Sequence, residues 1–519
     1  MRTGFIFLVL GACGPGELYA IDPSGPRADS GPGVDAAGFD GGPGFDGGPQ
    51  LDAGPGNDAG APDVGLDAGP PEGELVDGLE LVGLATFQNV RVSVVSNGTL
   101  AAHEAPIIAD KPTRFRVYVR PEAGWSAHPV TARLELTNAG DTQVFTDQAT
   151  IASASADDQP NTVFEIDVPG SVIRPDTQVL VSLTEPGGTG GDSARFPRDG
   201  STFALNAASN GGLDVVVVPI RYDADGSSRV PDTSEGAMNA LREHMLALFP
   251  VSEVRLRVRE PLPSSISVSA LSGGGWSNTL NLLLSAKQND GAPDREYYLG
   301  LFNPEPTFGQ YCRGGCIAGL APLNDRNFGS QRGGIALGYA DENNRFSGLH
   351  ELGHAMGRPH APCGGVSGAE GAFPHGGGAI GVWGFDARDG QLFPPNVKDF
   401  MGYCDPQWIS DWAVSRLHER AVAVTGMMAL SDRRVAHHLV TLAPFLRPIW
   451  GRVDEIPAGP GEPLRLFEAL DQDGVSRGWV AVREVQLSDG GSNLLIPHTP
   501  GAVAFRGPDG MILRVPIER

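Results

Sequence analysis

The sequence predicts a multidomain protein in which an α/β domain is flanked by an N-terminal β-sandwich and a small C-terminal β domain. Three observations carry this reading. Between Leu75 and about Asn210, segments such as "VRVSVV", "RFRVYVR", "ARLELT" and "VLVSLT" alternate apolar and polar residues, the period-2 pattern of half-buried strands. At Leu213 that pattern gives way to "LDVVVVPI", a continuous apolar run of the kind a parallel strand buried on both faces requires. From about Met427 short alternating segments return, among them "GWVAVREV" and "MILRVPI". These changes set the boundaries at 75–210, 211–426 and 427–519 of the 519 residues.

The residues before Leu75 have another character. The chain opens "MRTGFIFLVLGAC", with one positive residue, a short apolar core and small residues before a cysteine. Leu10-Gly11-Ala12-Cys13 resembles the lipobox of bacterial lipoproteins. That resemblance implies that residues 1–13 are a signal peptide, that Cys13 carries a lipid anchor to a membrane, and that Gly14 directs the protein to the outer membrane or cell surface. An ordinary signal peptide, with Cys13 discarded and the protein secreted, is the alternative. Residues 14–74 are rich in Gly, Pro and Asp, with 12 acidic residues against the single Arg27. Too few apolar residues stand here to offset ordering entropy, so the stretch reads as a disordered tether. As a flexible coil it would hold a domain on the order of 40 Å from its anchor. It contributes −11 of the net charge of −24. The remainder is mildly acidic, which argues against a nucleic-acid partner.

Within the N-terminal segment, turns such as "NAGD" and "EPGG" separate the strands, and an immunoglobulin-like sandwich is expected. His103 and His128 stand alone there and suggest no chemistry. In the middle segment Thr233 or Ser234 can cap a helix whose Met238, Leu241, Met245 and Leu248 share one face. "VRLRV" reads as a further strand, "WSNTLNLLLSAKQ" as a helix and "GGIALGY" as a strand. In the tail "DQDG", from Asp471, lacks the rest of an EF-hand loop and reads as a turn.

Chemistry concentrates in "HELGHAMGRPH", from His350. On a helix His350 and His354 lie one turn apart on one face, where both imidazoles can reach one zinc ion. Glu351 is adjacent but rotated off that axis, placed to take a proton without ligating. Gly357 tolerates the left-handed backbone that ends a helix, and Pro359 forces Arg358 into an extended conformation. His360 is then delivered from a loop. Three protein nitrogens leave a fourth position open, the arrangement of catalytic rather than structural zinc.

The full H-E-x-x-H-x-x-G-x-x-H pattern resembles the metzincin zinc endopeptidases. The resemblance implies a metzincin-like α/β catalytic domain, one Zn2+ ion on His350, His354 and His360, and Glu351 as general base toward a zinc-bound water. It also implies a methionine turn beneath the metal, which "DFMGYC" fits with Met401, 41 residues after His360. In some family members a Tyr two residues after that Met is a displaceable ligand and transition-state stabiliser, a role that falls to Tyr403. Phe400, where the family has a small residue, departs from the pattern. By the same resemblance "GGIALGY" would be the edge strand that pairs with an extended substrate. The segment between His360 and Met401, with His375, Trp383, Phe385 and Phe393, would then shape an apolar pocket.

Without Cys13, four cysteines remain, an even number in an exported chain. They allow three connectivities. Pairing Cys363 with Cys404 would tie the third-ligand loop to the methionine turn and leave Cys312 and Cys316 as a local loop; a second zinc site on that pair lacks partners nearby in sequence. The expected function is zinc-dependent hydrolysis of peptide bonds in extracellular proteins or glycoproteins. A surface-anchored adhesin with an inactive zinc site, and a zinc hydrolase of another class such as an amidase, are the competing readings. A carboxylate at Glu351 speaks against the first, because a structural site has no use for it.

Overall fold

The computed structural model describes residues 74–323, 328–340, 342–426, 434–443, 447–457 and 464–516. The signal segment with Cys13, the tether up to residue 73 and the start of the tail at 427–433 lie outside the described residues. Among the described residues no helix is long and apolar enough to cross a membrane.

Two antiparallel sheets form the N-terminal part. One is built on Pro129–Asn138, Asp141–Thr150 and Gln178–Glu185, the other on Leu79–Phe87, Arg91–Ser96, Thr113–Pro121 and Phe164–Val168. Alternation decides which side chains face inward. Val130, Ala132, Leu134 and Leu136 of one sheet, and Phe115, Val117 and Val119 of the other, enter a common buried cluster.

The middle of the chain forms a mixed sheet. Its strands are β1 (Leu213–Tyr222), β2 (Val254–Val258), β3 (Leu262–Ser264), β4 (Tyr297–Phe302), β5 (Gly319–Leu320) and β6 (Gly333–Leu337). The order is β2-β1-β4-β6-β5, with β3 beside the far end of β1. All neighbours are parallel except the edge strand β5, which runs antiparallel to β6. The continuous apolar run of β1 serves both faces. Val215 and Val217 pack with Met238 and Leu241 of helix α1 (Glu235–Leu248). Val216, Val218 and Ile220 pack with Leu280, Leu283 and Leu284 of helix α2 (Trp276–Asn289). Of the two candidate caps for α1, Ser234 holds the position and its side chain accepts from the Ala237 N–H. Helices α3 (Glu342–Ala355) and α4 (Asp411–Gly426) join α1, with Leu349, Leu352 and Leu417 in the same cluster.

The sheet order corrects one sequence expectation. "GGIALGY" contains β6, which lies between β4 and β5 and is not an edge. The edge is the two-residue β5, too short to show any alternation.

The tail forms a seven-stranded antiparallel sheet of β7 (Arg434–Leu442), β8 (Ile449–Pro457), β9 (Leu464–Leu470), β10 (Ser476–Gln486), β11 (Ser492–Pro497), β12 (Ala504–Arg506) and β13 (Ile512–Arg514), in the order β8-β7-β11-β10-β9-β12-β13. Val440, Phe467, Val482, Leu494 and Phe505 form its own core.

Candidate active site

Helix α3 carries the first two histidines, and its termination delivers the third. Gly357 adopts φ +87°, a left-handed conformation that costs glycine little. The Gly357 N–H donates to the His354 carbonyl (2.7 Å) and the Arg358 N–H to the Gly353 carbonyl (2.9 Å), closing the helix end. The chain then turns so that His360 faces back toward His354. His354 Nε2 stands 3.0 Å from His350 Nε2 and 3.1 Å from His360 Nε2.

The other ring nitrogen of each histidine is committed. His350 Nδ1 donates to the Phe400 carbonyl (2.8 Å), His354 Nδ1 to the Arg358 carbonyl (2.6 Å) and His360 Nδ1 to the Ser367 carbonyl (2.7 Å). Carbonyls accept only, so each proton sits on Nδ1 and each Nε2 presents a lone pair. Three lone pairs converging within 4.8 Å of one another, two of the pairs at about 3 Å, repel one another unless a cation lies among them. Ligands at ~2.0–2.1 Å from a tetrahedral zinc would stand about 3.3 Å apart, close to what is seen. Burial holds all three imidazoles below the ordinary histidine range, His350 at about 3. They are therefore neutral at physiological pH, the form in which imidazoles could hold a metal ion. Among the described residues this trio is the group of side chains arranged to hold a metal ion.

Beneath the trio lies the turn Asp399–Cys404. Met401 is buried, and its Sδ would be 2.5 Å from a Cβ placed on Gly353. A glycine on the helix face is what lets the thioether rest there. The Phe400 ring also lies over Gly353 and meets Phe249 edge-on at 6.1 Å. Asp399 builds the turn. Its Oδ1 accepts from the Met401 N–H (2.8 Å) and its Oδ2 from the Ser410 N–H (2.9 Å). Sequence reasoning gave Asp399 no role, although an Asp two residues before a turn N–H is a known local signal.

The third-ligand loop and this turn are held together. The Ala361 N–H donates to the Met401 carbonyl (3.0 Å) and the Tyr403 N–H to the Cys363 carbonyl (3.0 Å). Of the three possible connectivities, the structure has Cys363–Cys404 and Cys312–Cys316. Tyr403 is 44% exposed, and its Oη stands 3.1 Å from His360 Nε2. Its hydroxyl is thus at the trio.

Glu351 is buried, and burial raises its pKa well above the usual carboxylate value; a hydrogen bond from Ser488 works against this and the Asp489 charge adds to it. His375 does not join the trio but pairs with Asp411 at 2.6 Å. The expected aromatic pocket is also corrected. Phe385 packs with Phe87 and Tyr118 of the N-terminal sheet, and Phe393 stacks on Trp408 at 4.6 Å. Those rings close the joint with the N-terminal part instead of lining a specificity pocket.

A family model described as Peptidase M66 matches residues 280–408. The span runs from α2 to Trp408 and contains the three histidines, Glu351, Met401 and Tyr403. It supports a metallopeptidase. No curated protein matches the chain. One solved structure, described as "Structure of a chaperone-substrate complex", is similar at 12% identity over 50% of this chain and 38% of that one, with a TM-score of 0.25. A score that low says nothing of the fold.

Proposed function

We propose that the protein is a zinc-dependent endopeptidase of extracellular proteins or glycoproteins, held at the cell surface by a lipid on Cys13. The observation that carries the reading is the convergence of three Nε2 lone pairs within 4.8 Å of one another, each fixed by a carbonyl on its Nδ1, with Glu351 on the same helix. A zinc ion on those nitrogens would supply Lewis acidity toward the scissile carbonyl and acidify a water molecule. Glu351 takes the proton of the attacking water and returns it to the leaving amine. Tyr403 Oη, beside His360, donates to the developing oxyanion.

Glu351→Gln tests this. Metal content by mass spectrometry is expected to stay at one ion per chain while cleavage of unfolded casein falls about 10²–10⁴-fold. A chelator should abolish wild-type cleavage and added zinc restore it. A metal-loaded Glu351→Gln protein that cleaves as fast as wild type would sink the proposal.

A further inference from the structure

Glu351 is not enclosed by its own part of the chain. Its Oε1 faces β5, where a Cβ on Gly319 would lie 2.3 Å away. Its Oε2 meets the hydroxyl of Ser488, 3.3 Å away and 137 residues later in the chain, in the turn between β10 and β11. The Ser488 hydroxyl also accepts from the Ala321 N–H (3.1 Å). With its acceptor side engaged and one proton to give, the hydroxyl points that proton at the carboxylate.

The turn is fastened at this spot by the backbone. Just past β5 the Leu323 N–H donates to the Gln486 carbonyl (2.6 Å), and the Ser488 N–H to the Ala321 carbonyl (3.0 Å). The end of β10 therefore extends the edge of the mixed sheet. Leu487 is buried in the cluster that contains Leu320 and Ile335. The turn itself is internally closed, with the Leu487 N–H on the Gly491 carbonyl (2.8 Å) and the Gly491 N–H on Asp489 Oδ1 (2.8 Å).

Further back the docking is locked by a buried polar chain. Asn281 of α2 donates to Thr441 Oγ1 (3.0 Å), Thr441 to Asn493 Oδ1 (2.6 Å), and Asn493 to Gln331 Oε1 (3.1 Å). Made in a buried setting shielded from water, these linked hydrogen bonds help hold the sheet docked. Phe328, Leu439, Val485 and Leu495 pack beside them.

We propose that the C-terminal sheet completes the active site, with Ser488 as the positioning residue that orients the Glu351 carboxylate. This rests on the peptidase reading above. An arrangement whose only use was to hold the sheet in place would need the backbone pairs and Leu487, but not a hydroxyl aimed at a buried acid.

The test is a cycle of Ser488→Ala, Glu351→Gln and the double variant, with Ser488→Thr as the conservative control. Ser488→Ala is expected to lower kcat about 10–100-fold, the loss of one hydrogen bond to a charged group, with KM within about twofold and one metal per chain. Ser488→Thr should recover most of it. In the Glu351→Gln background Ser488→Ala should lower kcat no further, because it acts through the carboxylate. A kcat unchanged by Ser488→Ala, a loss that tracks metal content or folded fraction, or a full loss repeated in the Glu351→Gln background would each overturn the assignment. Melting temperatures of the four proteins are read in parallel. If wild type cleaves nothing, the peptidase reading fails, while non-additive melting shifts still report the Ser488–Glu351 contact and additive ones refute it.

Discussion

Gly319 shows how much can hang on a missing side chain. Any Cβ there would collide with the carboxylate of Glu351. The backbone can spare no space, since β5 is paired to β6 through Gly319 and Leu320. The acid must therefore move. Gly319→Ala is expected to lower kcat at least about tenfold, the scale of one misplaced catalytic contact, with metal content and melting temperature little changed. Wild-type kcat in this variant would show that the close approach is irrelevant. At this scale the sequence was legible where a helix sets the spacing. His350, His354 and Glu351 are fixed by one turn of α3, and Gly357 and His360 follow from how that turn must end. Gly319 and Ser488 were invisible, because their contacts join distant segments that carry no local pattern.

Among the elements, the turn that bears Met401 depends on its fastening to the third-ligand loop. The Cys363–Cys404 bridge spans 41 residues with Cα atoms 5.8 Å apart. A loop of that length is worth roughly 3–4 kcal/mol in the chain-entropy account. Two main-chain hydrogen bonds run in parallel with it, so the turn should survive its loss in weakened form. The Cys363→Ser/Cys404→Ser double variant is expected to melt several degrees lower and to bind the metal more weakly, since the Phe400 carbonyl that orients His350 lies in this turn. Unchanged metal affinity by competition titration would show that the bridge serves stability alone. Strands were legible to the extent that they are long. The ten residues of β1 announce themselves, whereas β5 has two, and β6 was read as the edge in its place.

On the scale of the whole molecule, the parts interlock through side chains that reach into a neighbour's backbone. Trp408 donates to the Asn89 carbonyl (2.7 Å), and Asn89 donates to the Ala247 carbonyl (2.6 Å) at the end of α1. Lys111 Nζ stands at the same helix end, 2.5, 3.0 and 3.2 Å from the carbonyls of Leu246, Phe249 and Val251, where helix dipoles favour a cation. Burial nonetheless lowers its pKa from 10.5 to about 7. Between pH 7 and 10.5 the unfolded chain then holds a proton that the folded chain has released, so stability rises with pH across that window. Lys111→Met should flatten this rise by up to about 1.4 kcal/mol per pH unit, measured by urea unfolding between pH 7 and 10. Lys287, also brought to about 7 by burial, remains in the variant as an internal reference. An unaltered slope would mean that Lys111 keeps its proton throughout. Changes of hydrophobic period do not mark these joints. Trp408 and Asn89 are 319 positions apart, and neither residue type signals a contact in the sequence.

The order of the segments along the chain has a consequence in time. A chain growing from its N-terminus makes the three histidines and Glu351 long before Ser488. If Ser488 orients the carboxylate as proposed, that orientation waits until the last sheet has emerged and docked. On that proposal, a hydrolase assembled in this order would work about 10–100-fold below its full rate while its own unfolded segments are the nearest substrate, and would gain full activity only once the last sheet has docked.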